Sequence, residues 1–197
     1  MVRNVGILGG TFDPPHLGHL VVAECARVEL ELDEVRLLVA GQPWMKDVDT
    51  PASVRVELAQ LAVTNAPGLV VDDRETRRAG TTYTADTVDE LAAEEPGTTW
   101  WLLVGDDLVV NLGQWHRADD LRAAVELVAV TREGHDPPPD GAVDHRLDVP
   151  AIGISSTELR DRYRTGRATR HLVPPAVDDA IRRVDLYGGA SGPQTDG

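Results

Sequence analysis

The sequence predicts an α/β protein, a doubly wound parallel sheet with helices on both faces. Three observations carry that prediction. Val5–Leu8, Val35–Ala40, Thr99–Val104 and Glu126–Thr131 are near-continuous apolar runs, the pattern of strands covered on both faces. Between them lie segments whose apolar residues recur at helical spacing. A glycine pair, Gly9-Gly10, closes the first run where a strand must give way to a helix. Sheets of this kind bind ligands outside the carboxyl ends of their strands, where the strand order reverses, so chemistry is expected in the loops after the strands.

The elements follow in order. After the first strand, Leu17, Leu20, Val21, Cys25, Val28 and Leu32 mark one face of a helix. The second strand, Val35–Ala40, leads into a loop, Gly41 to Asp47, and Pro51 opens a helix with Val54, Leu58, Leu61 and Ala62 inward. Leu69–Val71 is a short strand, Asp72 to Thr82 a polar loop, and Thr84 the expected cap of a helix through Val88 and Leu91. Thr99–Val104 is the most apolar strand and ends at Gly105-Asp106-Asp107; its Trp100-Trp101 pair reads as core. A short helix over Leu108–Leu112, a turn at Gln114-Trp115-His116 and a helix over Ala118–Ala124 precede the strand Glu126–Thr131. The proline-rich stretch from His135 to His145 is a loop, and Asp148–Ile154 is the expected last strand. Ser155 or Ser156 then caps a helix through Leu159 and Tyr163, and Pro174 opens a final helix to Val184. One domain is expected over 1–187, with a polar, disordered tail over 188–197.

Composition excludes several classes. A net charge of −14 argues against a general nucleic-acid or anionic-membrane binder, since both need a broad basic surface. The single cysteine, Cys25, rules out an internal disulfide framework and reads as core, which fits a reducing cytoplasm. No apolar run approaches membrane-spanning length. Lys46 is the only lysine among 19 basic residues, and Arg160, Arg162, Arg164, Arg167 and Arg170 crowd one segment. Those are the places where an anion would find charge.

Gly9-Gly10-Thr11-Phe12-Asp13-Pro14-Pro15-His16-Leu17-Gly18-His19 is the stretch with the most chemistry. A strand, a glycine turn and a helix aim backbone N–H groups and a helix N-terminus at an anion, and two histidines three apart share the helix's opening turn. The pair can be capping groups, metal ligands, or donors to a phosphate oxygen. The sequence has no Walker A, no GxGxxG fingerprint, no GxSxG and no HExxH.

The same stretch resembles the (H/T)xGH signature of the nucleotidylyltransferase superfamily, and Ile154-Ser-Ser-Thr-Glu-Leu-Arg160 resembles its ISSTxxR signature. Gly41-Gln-Pro-Trp-Met-Lys46, Thr82-Tyr-Thr-Ala-Asp-Thr87 and Gly105-Asp-Asp-Leu with Trp115 narrow the likeness to the bacterial nicotinate-nucleotide adenylyltransferases. The resemblance implies a Rossmann-like sheet of the HxGH type and adenylyl transfer from ATP to nicotinate mononucleotide, with Mg2+ accompanying the ATP phosphates. It implies His16, His19, Lys46 and Arg160 as catalytic residues. Gly9, Gly10, Thr11, Phe12, Gly105, Asp107, Ile154, Ser155 and Ser156 join His16, His19 and Arg160 around ATP. Lys46, Thr82, Tyr83, Thr84, Asp107, Trp115 and His116 fall to nicotinate mononucleotide, with the Trp115 indole on the nicotinate ring. Ser155 and Ser156 either border the adenosine or cap the helix that presents Arg160. The chain departs from the family pattern at Trp44-Met45, in place of a proline and a histidine, at Thr81, in place of a proline, and at Asp106, in place of a small residue. The competing readings are the same chemistry on nicotinamide mononucleotide or phosphopantetheine, and a non-catalytic nucleotide-binding module. Assembly into a homo-oligomer is left open.

Overall fold

The computed structural model describes residues 2–43, 48–132, 139 and 141–188. Its frame is a sheet of six parallel strands: β1 (Arg3–Gly10), β2 (Glu34–Val39), β4 (Leu69–Asp72), β6 (Thr98–Gly105), β7 (Glu126–Arg132) and β8 (His145–Val149), in the spatial order β4-β2-β1-β6-β7-β8. A second, two-stranded parallel ladder pairs β3 (Gln42–Pro43) with β5 (Thr81–Thr82). The helices are α1 (Leu17–Glu29), α2 (Ala52–Val63), α3 (Thr84–Glu94), α4 (Asp106–Val109), α5 (Ala118–Ala124), α6 (Ser156–Arg164) and α7 (Pro175–Arg183).

Strand alternation feeds two cores. Trp100, Leu102 and Val104 of β6 point to one face, against Val88 and Leu91 of α3 and Leu121 of α5. Leu103 and the β2 residues Val35 and Leu37 point to the other, against Ala23 and Ala26 of α1 and Ala59 of α2. Both faces are therefore covered, which is why the strands read as unbroken apolar runs. A third cluster, Leu58, Leu159, Tyr163, Val177 and Ile181, welds α6 and α7 onto α2. The half-buried Cys25 packs at the rim of the second core, where burial pushes its thiol up, away from nucleophilic use.

Several expectations need correction. The last strand is His145–Val149, not Asp148–Ile154. It pairs with β7 from Val128↔His145 to Arg132↔Val149, and Pro150, which has no N–H, ends the ladder. The cap of α3 is Tyr83, with Thr84 its first residue. The helix expected over Leu108–Leu112 is two pieces, α4 and a 3-10 turn at Leu112–Gln114. The loop read over Asp72–Thr82 contains a 3-10 turn at Arg74–Arg77 and the strand β5. The expected tail over 188–197 lies outside the described residues from 189 onward, as does most of the proline-rich loop.

The order of strands decides where a site forms. From β1 the chain steps outward to β2 and β4, then crosses back to add β6 on the other side of β1, so the reversal lies between β1 and β6. The loops after those two strands, Thr11–His16 and Asp106–Trp115, open at that crevice.

Candidate active site

The loop after β1 is held from three directions. Phe12 adopts φ 49°, in the left-handed region, because its ring is fully buried in the α1 core while its backbone turns back toward the crevice. His16 caps α1 with an extended backbone, and its N–H donates to Nδ1 of His19, 3.2 Å away. The two imidazoles stack with centroids 3.7 Å apart, and the Phe12 ring meets His19 edge-on at 5.0 Å. A Cβ on Gly18 would come within 3.0 Å of His16 Nδ1, so the glycine between the histidines lets the His16 ring fold over the helix start. His16 is buried and His19 half-buried, so His19 carries the more accessible of the two stacked rings.

From the far end of the chain, α6 brings the second signature onto the same loop. Ser155 caps α6, accepting from the Glu158 N–H at 3.2 Å, while Ser156 Oγ donates to the Pro14 carbonyl at 2.9 Å. The two serines thus divide the tasks that the sequence left joined: Ser155 caps and Ser156 docks the helix. Arg160, on the next turn, donates to the Asp13 carbonyl at 2.7 Å and to Thr157 Oγ1 at 3.3 Å. The amino ends of α1 and α6 are thereby brought to one loop, and each carries the positive end of a helix dipole. Ile154 packs half-buried beside α6. Gly9 and Gly10 end β1, and Thr11 sits between them and Phe12 with its carbonyl engaged by Arg55.

Arg55 was not anticipated. Only 2% exposed, it donates to the carbonyls of Thr50, Thr11, Ala40 and Gly41 at 2.7–3.1 Å. It ties the loop after β1 to the loop after β2. Burial pulls its guanidinium below the usual arginine range, and the nearby Asp13 charge opposes that shift. A signal existed in the sequence: Arg55 falls on the same helical face as Leu58, Ala59 and Ala62, where an apolar residue belongs. Lys46 and the Trp44-Met45 departure lie outside the described residues.

The other half of the crevice is built by α3, α4 and the turn before α5. Thr82 is buried in β5, Tyr83 caps α3, and Thr84 opens it with a first turn of outward N–H groups. Thr81, where the family tends to carry proline, pairs with Gln42 in the small ladder rather than in a loose loop. Beneath it, a Cβ on Gly41 would collide with the Glu75 carbonyl, and Glu75 itself is buried and accepts from Thr87 Oγ1 at 2.7 Å. Trp115 is half-buried against the α3 core, with its Nε1 buried and without a partner among the described residues. The His116 ring leans on Tyr83 at 4.4 Å, so the Thr82–Thr84 and Trp115–His116 segments are brought together as the sequence expected. Arg117, at φ 52°, donates to Asp86 and Asp89 of α3 and to Asp120 of α5 at 3.2, 2.6 and 2.8 Å. Gly105 leads into α4, Asp107 is exposed on it, and Asp106 turns inward, 7% exposed, to accept the Asp107 N–H. The acid that stands in place of the family's small residue is thus buried.

Residues 7–162 match the family described as cytidylyltransferase-like. The chain belongs to that family. Its cytidylyltransferase-like relatives include a protein of Oceanobacillus iheyensis named "Probable nicotinate-nucleotide adenylyltransferase", 40% identical over 95% of this chain and 98% of its own length. A protein of the same name from Exiguobacterium sibiricum is 40% identical over 93% of this chain and 98% of its own. Among solved structures, the Plasmodium falciparum nicotinic acid mononucleotide adenylyltransferase complexed with NaAD superposes with a TM-score of 0.80 at 19% identity, over 95% of this chain and 98% of that one. The α/β nucleotidyltransferase fold expected from the sequence is therefore the fold observed. No helix among the described residues is long and apolar enough to cross a membrane.

Proposed function

We propose that the protein transfers the adenylyl group of ATP to nicotinate mononucleotide, within one catalytic domain over residues 1–187. A phosphate oxygen of the mononucleotide attacks the α-phosphorus of ATP. The bond to the β-phosphate bridging oxygen breaks, and nicotinate adenine dinucleotide and pyrophosphate leave. A phosphate monoester is already anionic near neutral pH, so the reaction needs no strong base. What it needs is two repelling anions held in line and the developing charge stabilised. The observation that carries this reading is the meeting of His16, His19, Arg160 and two helix amino ends on the single loop 13–16.

Within that arrangement each side chain has a task. His19 accepts the His16 N–H at Nδ1, which leaves Nε2 as its donor toward a phosphate oxygen. His16 stacks behind it and fixes its plane. Arg160 faces the departing pyrophosphate, and Lys46 is the second cation on sequence grounds. Gly9, Gly10, Thr11 and Phe12 line the phosphate turn, with Gly105, Asp107 and Ile154 on the nucleoside side. Magnesium enters with ATP, held by its phosphates. Among the described residues no three His, Cys, Asp or Glu side chains gather into a metal site.

On the acceptor side, Trp115 stacks on the nicotinate ring. The amides around Thr82, Tyr83, Thr84 and His116 receive its carboxylate, a task suited to the first turn of α3. A nicotinamide there would set donor against donor, at about 1–3 kcal/mol per unsatisfied group. The deciding experiment offers the protein ATP, magnesium and one acceptor at a time and measures pyrophosphate. Release with nicotinate mononucleotide in preference to nicotinamide mononucleotide and phosphopantetheine is the expected result. Release with phosphopantetheine alone overturns the acceptor, and no release with any acceptor overturns the enzyme.

A further inference from the structure

Tyr187 lies 174 residues from Asp13 in sequence, yet its hydroxyl donates to Asp13 Oδ1 at 2.8 Å. Asp13 is only 4% exposed, inside the phosphate loop, and its other oxygen, Oδ2, lies 3.8 Å from Arg160 Nη1. Arg160 instead places its hydrogen bond on the Asp13 carbonyl, at 2.7 Å. A carboxylate this buried needs donors for its lone pairs, and an arginine beside it is the strongest donor on offer. The natural outcome for such a pair is a two-pronged bridge. Here the tyrosine hydroxyl holds Oδ1 instead, and Oδ2 stops 3.8 Å short of Arg160.

We infer that Tyr187 is a positioning residue for the nucleotide's phosphates: by holding Oδ1 of Asp13 it keeps that carboxylate from closing on Arg160, and so leaves the guanidinium fork for the phosphate chain. The inference rests on the reading of Arg160 as a phosphate ligand and extends it to a residue outside both signatures. The tyrosine is suited to the task. It is half-buried, and desolvation, then the Asp13 charge, push its phenol up, so it stays a neutral donor near neutral pH. It reaches the loop because α7 packs on α2 and α6, delivering the turn after α7 beside Asp13.

The test is a pair of substitutions, Tyr187→Phe and Asp13→Asn, made singly and together, with the wild type run alongside. Steady-state constants are measured for both substrates, and ATP binding is measured by calorimetry. Tyr187→Phe removes one oxygen and keeps the ring. The Michaelis constant for ATP and its dissociation constant are expected to rise about three- to tenfold, the effect of one hydrogen bond, while that for nicotinate mononucleotide stays within about twofold. In the Asp13→Asn background, where no charged carboxylate remains to capture Arg160, the same substitution is expected to change ATP affinity little. An unchanged ATP affinity in Tyr187→Phe overturns the inference, and so does an equal rise in both backgrounds. Equal loss toward both substrates, with a lowered melting temperature, makes Tyr187 a stability residue only and also overturns it. A wild type that releases no pyrophosphate marks failure of the functional reading itself, and ATP calorimetry still decides the Tyr187 contact.

Discussion

At the phosphate end of the crevice the polar side chains hold backbone oxygens, whereas at the acceptor end, above the buried Glu75–Thr87 bond, the holding is done by the exposed Arg117 and the half-buried Arg78 on carboxylates. Arg55 grips four carbonyls, Ser156 the Pro14 carbonyl and Arg160 the Asp13 carbonyl, and Asp13 and Arg55 are almost wholly buried. On the other side, Arg117 spans Asp86, Asp89 and Asp120 in the open, and Arg78 reaches Glu90 across the outer face of α3. Buried bonds to fixed carbonyls are insensitive to salt and define position closely; exposed ion pairs are screened and yield. The end we propose for stabilising developing charge is therefore built rigidly. The end we propose for the second nucleotide is built more from contacts that water and ions can loosen. Arg117 also neutralises Asp86, an acid in the very turn of α3 assigned to a carboxylate.

Four substitutions sharpen or break that contrast. Arg55→Met removes the donor shared by four carbonyls from a buried site, and a loss of about 3–5 kcal/mol in urea unfolding is expected. A loss under about 1 kcal/mol shows that water replaces the guanidinium and that the rigid end is not rigid. His19→Ala is next: kcat falls about 100- to 1000-fold with both Michaelis constants little moved, the mark of a donor used mainly in the transition state. A near-normal kcat removes His19 from the chemistry. Trp115→Ala raises the Michaelis constant for nicotinate mononucleotide about tenfold, the scale of one lost ring stack, and leaves that for ATP alone. Selective loss of ATP binding instead puts the indole on the wrong substrate. Smallest is Arg117→Ala, with a rise of about two- to threefold in the acceptor constant at low ionic strength, shrinking as added salt screens the same ion pairs in the wild type. If the ratio of variant to wild type is the same at all salt concentrations, the acceptor end is not held by charge.

Much of this was legible before any coordinates. Unbroken apolar runs mean two-sided burial, so the parallel sheet and the crevice at its carboxyl ends followed from pattern alone. The two signatures meet each other, and Tyr83 meets His116, at the carboxyl ends of the strands, while Lys46 lies outside the described residues. What stayed hidden was what depends on a partner distant in sequence. The span of β8 is set by its register on β7 and by Pro150, against a local pattern that favoured a later start. Arg55 could be suspected as a charge on an apolar face, but its four carbonyl partners belong to loops 5 to 44 residues away. Tyr187 carries no local signal at all. Its partner is at the opposite end of the chain.

That last contact sets an order of manufacture. Asp13 leaves the ribosome 174 residues before Tyr187 does, which at 5–20 residues per second is roughly ten to thirty-five seconds. During that interval the first loop exists without the hydroxyl that keeps Asp13 off Arg160, and, earlier still, without the helix that carries Arg160. A variant that ends just before Tyr187 is therefore expected to keep the sheet and to bind ATP less tightly, a loss that ATP calorimetry on that variant measures.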